Sequence, residues 1–293
     1  MIAALVAQLR QGDRNALARL VSHAARSEHL SEIQSALGSS SSPARVVAIT
    51  GSGGVGKSTL IGKLIPHVRS QNHRVAVLAC DPESPLSGGA LLGDRFRMGS
   101  STDDGVFIRS LATPGGRGAV ADHLDVMIRL LEAYGFDVVF LETVGSGQGD
   151  VEVRNLADVV ALLLQPESGD DVQWEKAGIL ECADLVVVHK ADLPSADQTA
   201  AQVRAALDLS MGRQVPVLLA SSKANQGYAE LWQAIEAMPL RRGRASAAGA
   251  FLKAARARLE ERLRANGELV SAWQRGNLSI DDALRKLLSE PEA

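Results

Sequence analysis

Arg45-Val46-Val47-Ala48-Ile49-Thr50-Gly51-Ser52-Gly53-Gly54-Val55-Gly56-Lys57-Ser58-Thr59 is a short β-branched run that opens into a glycine-rich turn and closes on Lys-Ser-Thr. Residues 51–59 match G-x-x-x-x-G-K-[ST] in full, and Leu60, Leu64 and Val68 follow at helical spacing. A strand, a glycine loop and a helix in that order is the context in which this motif cradles phosphate. Glycines let backbone N–H groups turn inward on an anion, and the helix N-terminus adds a favourable dipole. Gly51, Gly53, Gly54, Val55, Gly56, Lys57, Ser58 and Thr59 are the expected phosphate-binding set. Lys57 has the reach for β- and γ-phosphates, and the Ser58 hydroxyl suits Mg²⁺. A glycine-rich turn that merely links strand to helix is the competing reading, and the agreement of motif with context disfavours it. The chain is expected to bind a nucleoside triphosphate.

Outward from this loop, strand and helix signals alternate. Val75–Cys80 ends at Asp81-Pro82, Val106–Leu111 is a shorter strand candidate, and Val138–Leu141 ends at Glu142. Val159–Leu164 ends at Gln165-Pro166, Leu185–Val188 at His189-Lys190, and Val217–Leu219 at Ala220-Ser221-Ser222. Helical segments at 120–134 and 195–211 lie between them. Unbroken apolar strands alternating with helices predict an α/β P-loop NTPase fold, with a mainly parallel sheet covered by helices on both faces. Such sheets bind ligands beyond the carboxyl ends of their strands, where these polar residues fall.

The flanks read as helical extensions. Residues 1 to about 37 carry helical periodicity (Ile2, Leu5, Val6, Leu9, then Ala16, Leu17, Leu20, Val21), with Asp13 as N-cap of a second helix. Gly38-Ser-Ser-Ser-Ser-Pro43 is a linker in composition, so residues 1–43 form an N-terminal helical arm and linker, and 44–240 the nucleotide domain. After Pro239 an alanine-rich basic stretch precedes a helix patterned in leucine, and Ser279 is the expected N-cap of Ile280–Leu288. Residues 241–293 thus form a C-terminal helical segment.

The chain has 293 residues, 46% of them hydrophobic, which is ample for a core; 3% aromatic content means that aliphatic side chains fill it. A net charge of −3 argues against generalised binding to nucleic acid or an anionic membrane. Cys80 and Cys182 are too few for a metal cluster and sit in apolar surroundings, as buried free thiols suited to a reducing cytoplasm. The N-terminus lacks the pattern of a signal peptide, and no apolar run reaches membrane-spanning length. A cytoplasmic protein is expected, with neither membrane nor nucleic acid as partner.

A phosphate loop needs carboxylates near Mg²⁺ and residues that report the γ-phosphate. Asp81, Asp94 and Glu142 open or occupy loops that can face one site, and with Ser58 they are the expected metal set. The Gly145 N–H can meet the γ-phosphate because no side chain intervenes, and losing that contact would release Ser146–Asp150 as a switch. Lys57, Glu142 and Gln148 are the candidate catalytic residues, Gln148 as a positioner of water. His189-Lys190-Ala191-Asp192 stands in the position of an N/T-K-x-D guanine motif. The Asp192 carboxylate would accept from guanine N1–H and the exocyclic amine, a donor pair adenine lacks, while the Lys190 stem lies over base and ribose. His189 departs from the asparagine that usually braces the phosphate loop and contacts the base; imidazole supplies one donor there. Ser221, Ser222 and Lys223 fit a loop touching guanine O6 through backbone N–H groups.

Taken in order, these residues resemble the MeaB/ArgK-type GTPases over roughly 10–240. Asp81-Pro82 with Gly88-Gly-Ala-Leu-Leu-Gly-Asp-Arg-Phe-Arg-Met98, Glu142-Thr-Val-Gly-Ser-Gly-Gln148, and Pro166-Glu-Ser-Gly-Asp-Asp-Val-Gln173 carry the resemblance. It implies a G-protein chaperone that couples GTP binding and hydrolysis to cofactor loading, protection and reactivation of an adenosylcobalamin-dependent acyl-CoA mutase. It further implies GTP/GDP and Mg²⁺ as cofactors, and a homodimer formed through the C-terminal helices. His189, Glu83, Pro85, Phe96, Gly149, Asp150, Glu167 and Trp174 depart from the family pattern, and the tail after 245 is short. These departures fall in the switches and tail, where a partner is read, so the mutase is left open between methylmalonyl-CoA mutase and a relative.

Other classes share parts of this pattern. A partitioning- or arsenical-pump-type ATPase would share sheet and loop, and His189 keeps it in contention. A nickel-insertion GTPase would need a His/Cys cluster, which the spacing of the six histidines does not supply. The basic residues of 241–264 lack the interleaved aromatics of a nucleic-acid module and read as a solvated or subunit-facing helix.

Overall fold

The computed structural model describes residues 1–38, 42–82, 103–113, 121–144, 150–166, 179–210, 214–241, 255, 259, 262–263 and 266–289. Helices α1 (Ile2–Arg10), α2 (Arg14–Ala25) and α3 (Leu30–Leu37) come first. The alternating part runs β1 (Arg45–Thr50), α4 (Lys57–Ser70), β2 (Val75–Pro82), β3 (Val106–Thr113), α5 (Leu124–Tyr134), β4 (Val138–Glu142) and α6 (Asp150–Leu156). It continues through β5 (Val159–Leu164), α7 (Ile179–Cys182), β6 (Leu185–His189), α8 (Ala196–Ser210), β7 (Val217–Ala220) and α9 (Tyr228–Ala237). Helices α10 (Gly267–Gln274) and α11 (Ile280–Ser289) follow. By contact the chain forms two compact units, Met1–Arg244 and Ala245–Ala293.

The described strands of the first unit form one seven-stranded sheet in the order β3-β2-β4-β1-β5-β6-β7, with every pairing parallel. The expected parallel α/β sheet is what the chain builds. β1 is central, with Ala48 opposite Leu141 of β4 on one side and Val160 of β5 on the other. Strand order reverses about β1, and a crevice opens at such a point beyond the carboxyl ends of the strands.

Successive side chains of a strand face opposite ways, so each apolar run serves two cores. Val46 and Ala48 of β1 join a core with the apolar faces of α1–α3 and α5. Val47 and Ile49 join another with Leu60, Leu64 and Val68 of α4 and with Leu231, Trp232 and Ile235 of α9. A third, smaller core lies under α8, against Leu162, Val186 and Val188. The N-terminal helices therefore complete the sheet's own core. Asp13 caps α2, its Oδ1 accepting from the N–H groups of Asn15 at 2.8 Å and Ala16 at 3.1 Å. The next residue, Arg14, donates to the Val106 carbonyl of β3 at 2.6 Å.

At the edge of the sheet opposite the crevice, Asp158 accepts from the backbone N–H of Val46 and of Arg241. The segment leaving α9 is thereby tied to the base of β1. In the second unit, Ser279 Oγ accepts from the Asp282 N–H at 3.1 Å and caps α11, while Arg262 donates to the Leu287 carbonyl at 2.8 Å. Both cysteines are buried and unbridged, and burial raises the Cys80 thiol to about 12. No helix among the described residues is long and apolar enough to cross a membrane.

Leu20 is fully buried where α2 meets the sheet core. Leu20→Ala is expected to lower stability toward urea by about 2–5 kcal/mol, in one transition shared with the sheet. A separate early transition for α1–α3 that leaves the sheet unaffected would contradict a common core.

Candidate nucleotide-binding site

The phosphate loop leaves β1 at Gly51 and enters α4 at Lys57, and two of its glycines are there for want of space. Gly51 has φ +140, and a Cβ on it would stand 2.4 Å from the Leu163 carbonyl oxygen of β5. Gly56, the residue preceding α4, has φ +102, and its Cβ would stand 2.5 Å from Nδ1 of His189. The loop is thus threaded between β5 and the end of β6 and delivers the N-terminus of α4 to the crevice. That terminus brings unsatisfied N–H groups and a partial positive charge to the same spot. Lys57 is buried, its ammonium donating to the carbonyls of Gly51 at 2.8 Å and Ser52 at 3.1 Å. The cation is held at the mouth of its own loop.

Two of the metal candidates meet directly. Ser58 Oγ donates to Glu142 Oε1 at 2.6 Å, and both residues are buried. Glu142 ends β4 in register with Ile49 of β1 and Ala79 of β2, which puts its carboxylate beside the loop. Behind it, Thr143 Oγ1 donates to Thr50 Oγ1 at 3.1 Å, stitching the ends of β4 and β1 together. Asp81 lies two residues beyond Ala79 on β2, at the same edge of the sheet. These donors are all oxygen, the set Mg²⁺ takes, and Mg²⁺ needs only one or two protein ligands when phosphates and waters complete its shell. The residues present fit that ion, and Ser58 and Glu142 would hold it. Asp94, Gly145 and Gln148 lie outside the described residues.

The residues expected to meet the base lie on the loops after β6 and β7. Asp192 is exposed, and the buried Ser221 donates to its Oδ1 at 2.5 Å. That hydrogen bond, above all, holds the Asp192 carboxyl below the usual carboxylate range, so it stays an acceptor pair. Ser221 is itself fixed by a backbone bridge to Gln226. Lys190 takes a left-handed φ of +57 and donates to Gln165 Oε1 at 2.6 Å, tying the ends of β6 and β5. His189 is buried, with Nδ1 2.9 Å from the Val55 carbonyl and Nε2 2.9 Å from Ser222 Oγ. Burial chiefly pushes its pKa down, so the ring is neutral. Lys223 is exposed at the rim. Sequence reasoning gave Ser221 and Ser222 backbone roles toward guanine O6; in addition, their hydroxyls bond Asp192 and His189. It gave no role to Gln165, Thr143 or Tyr228, although Thr143 lies within the Glu142–Gln148 motif.

The family model for methylmalonyl Co-A mutase-associated GTPase MeaB matches residues 16–273. The chain belongs to the MeaB family of GTPases. A relative from Pyrococcus abyssi, named as a GTPase, is 45% identical over 244 residues, covering 80% of this chain and 75% of the relative. A protein of Nocardia farcinica named fused isobutyryl-CoA mutase is 45% identical over 148 residues, 50% of this chain and 14% of that protein. Among solved structures, that of LAO/AO transport system kinase shares the fold, with a TM-score of 0.63 and 24% identity over 98% of this chain and 96% of that one.

Gly56→Ala places a methyl group against the His189 ring at a backbone angle that side chains rarely adopt. It is expected to weaken nucleotide binding by about tenfold or more, measured by fluorescence with a labelled GDP. Unchanged affinity would show that the loop is not clamped at this point.

Proposed function

We propose that this GTPase is a guanine-nucleotide switch serving an adenosylcobalamin-dependent acyl-CoA mutase, gating cofactor loading and protecting or reactivating the mutase. One observation carries the reading: half of this chain is 45% identical to part of the protein named fused isobutyryl-CoA mutase. In that protein a module like this one shares a polypeptide with a mutase, as parts that work in a pair do. The family description, naming a methylmalonyl-CoA mutase, points to the same partner class.

In this reading the loop N–H groups from Gly51 to Thr59 and the Lys57 ammonium hold the phosphates. Ser58, Glu142, Asp81 and Asp94 would hold Mg²⁺, which when bound would neutralise charge on the β- and γ-phosphates. Asp192 accepts from guanine N1–H and the exocyclic amine, Lys190 covers the base, and the backbone of 221–223 faces O6. Gly145 reports the γ-phosphate and Gln148 positions water. No strong general base stands among the described residues of the site, so intrinsic hydrolysis is slow and the partner completes the site. The C-terminal unit, with Trp273 and Ile280 exposed, supplies apolar surface for a homodimer. The cytoplasm is the compartment in which this pair would meet.

Immobilised methylmalonyl-CoA or isobutyryl-CoA mutase tests the proposal. Retention of the protein is expected to differ about fivefold or more between GDP and a non-hydrolysable GTP analogue. Equal retention in the two states would rule out nucleotide control of the partnership.

A further inference from the structure

Val55 of the phosphate loop and Ser222 of the loop between β7 and α9 lie on either side of one imidazole, that of His189. Its Nδ1 is 2.9 Å from the Val55 carbonyl oxygen, and its Nε2 is 2.9 Å from Ser222 Oγ. Tyr228, the first residue of α9, brings its hydroxyl to 2.6 Å from the same Oγ. Donor counting orders these contacts. A carbonyl only accepts, so Nδ1 carries a proton. Burial is the largest influence on the ring and keeps it neutral at neutral pH; Lys190 acts in the same sense, the Val55 carbonyl and Asp192 against it. Nε2 therefore keeps its lone pair and accepts the Ser222 proton. Ser222 has no second proton to give, so Tyr228 donates to Ser222 Oγ; burial also holds that phenol above its ordinary range and protonated. Tyr228 to Ser222 to His189 to Val55 is the assignment in which each proton has one acceptor.

We propose that His189 is a positioning residue, tying the phosphate loop to the base-side loop in its neutral Nδ1–H form and leaving no ring proton for the purine. This rests on the reading of the crevice as a purine-nucleotide site. An asparagine in this place has two amide protons and a carbonyl acceptor, enough to brace Val55, accept from Ser222 and still face a base. The imidazole has one proton, and Val55 takes it. Guanine and adenine both present N7 as an acceptor, so the contact given up is one that does not distinguish them. The choice of base falls on Asp192, whose carboxylate Ser221 fixes.

Binding of GDP and of 7-deaza-GDP, which lacks N7, reads this directly. Wild type is expected to hold the two within about twofold, and His189→Asn to favour GDP by about threefold to tenfold, the worth of one neutral hydrogen bond. The same ratio in both proteins would overturn the proposal. A preference for adenine nucleotides would defeat the guanine reading alone, and ADP against 7-deaza-ADP then makes the same comparison. Nitrogen-15 NMR of histidine-labelled wild type needs neither nucleotide nor variant: at neutral pH His189 is expected to show a protonated Nδ1 and a bare Nε2. The opposite tautomer, or an imidazolium, would overturn the assignment.

Discussion

β1 leaves the sheet between β4 and β5, and the turn it makes there has no room for a side chain at two points. A β-carbon at Gly51 would strike the Leu163 carbonyl, and one at Gly56 would strike the His189 ring. The walls of this turn come from β5 and β6, so the loop's shape depends on sheet pairing far from it in sequence. Because the described strands are all parallel, their carboxyl ends lie at one edge, and Asp81, Glu142, His189 and Ser221 arrive there without further device. The sheet is thus the template of the site, and the phosphate loop is pressed into it.

Polar contacts at that edge work in pairs that join neighbouring strands. Thr143 with Thr50 joins β4 to β1, Lys190 with Gln165 joins β6 to β5, and Ser221 with Asp192 joins the loops after β7 and β6. Each hydrogen bond of this kind contributes only about 1 kcal/mol net, but an unmet buried polar group costs more. The donors and acceptors around His189 are matched, which gives the neutral ring a definite tautomer. A site preorganised in this way loses little freedom when a nucleotide settles into it.

Much of this was legible in the sequence. Unbroken apolar runs announced strands covered on both faces, and the helical spacing of Ile2, Leu5, Val6 and Leu9 named the residues that α1 buries. The cap at Asp13 was readable because it is local. Strand ends were less so: β2 and β3 each run two residues beyond their apolar stretch, because Asp81 and Pro82 continue to pair with Ala112 and Thr113. Pairing with a neighbour, not apolarity, sets where a strand stops. Helix α5 likewise begins at Leu124 and not near 120, since His123 takes a left-handed φ of +57. In the site, the residue types and their loops were visible, and so was the departure at His189. Its partners were not, for Val55 is 134 residues away and Ser222 is 33. No spacing rule links such positions; only the sheet does.

Asp192, held by Ser221, is proposed to read guanine although histidine replaces the usual asparagine beside it. Calorimetric titration of the purified protein with GDP and with ADP, each in the presence of Mg²⁺, tests it most directly. A pocket built around a carboxylate acceptor pair should favour GDP by about a hundredfold or more. Equal or tighter binding of ADP would contradict the account and place the chain's chemistry with adenine nucleotides.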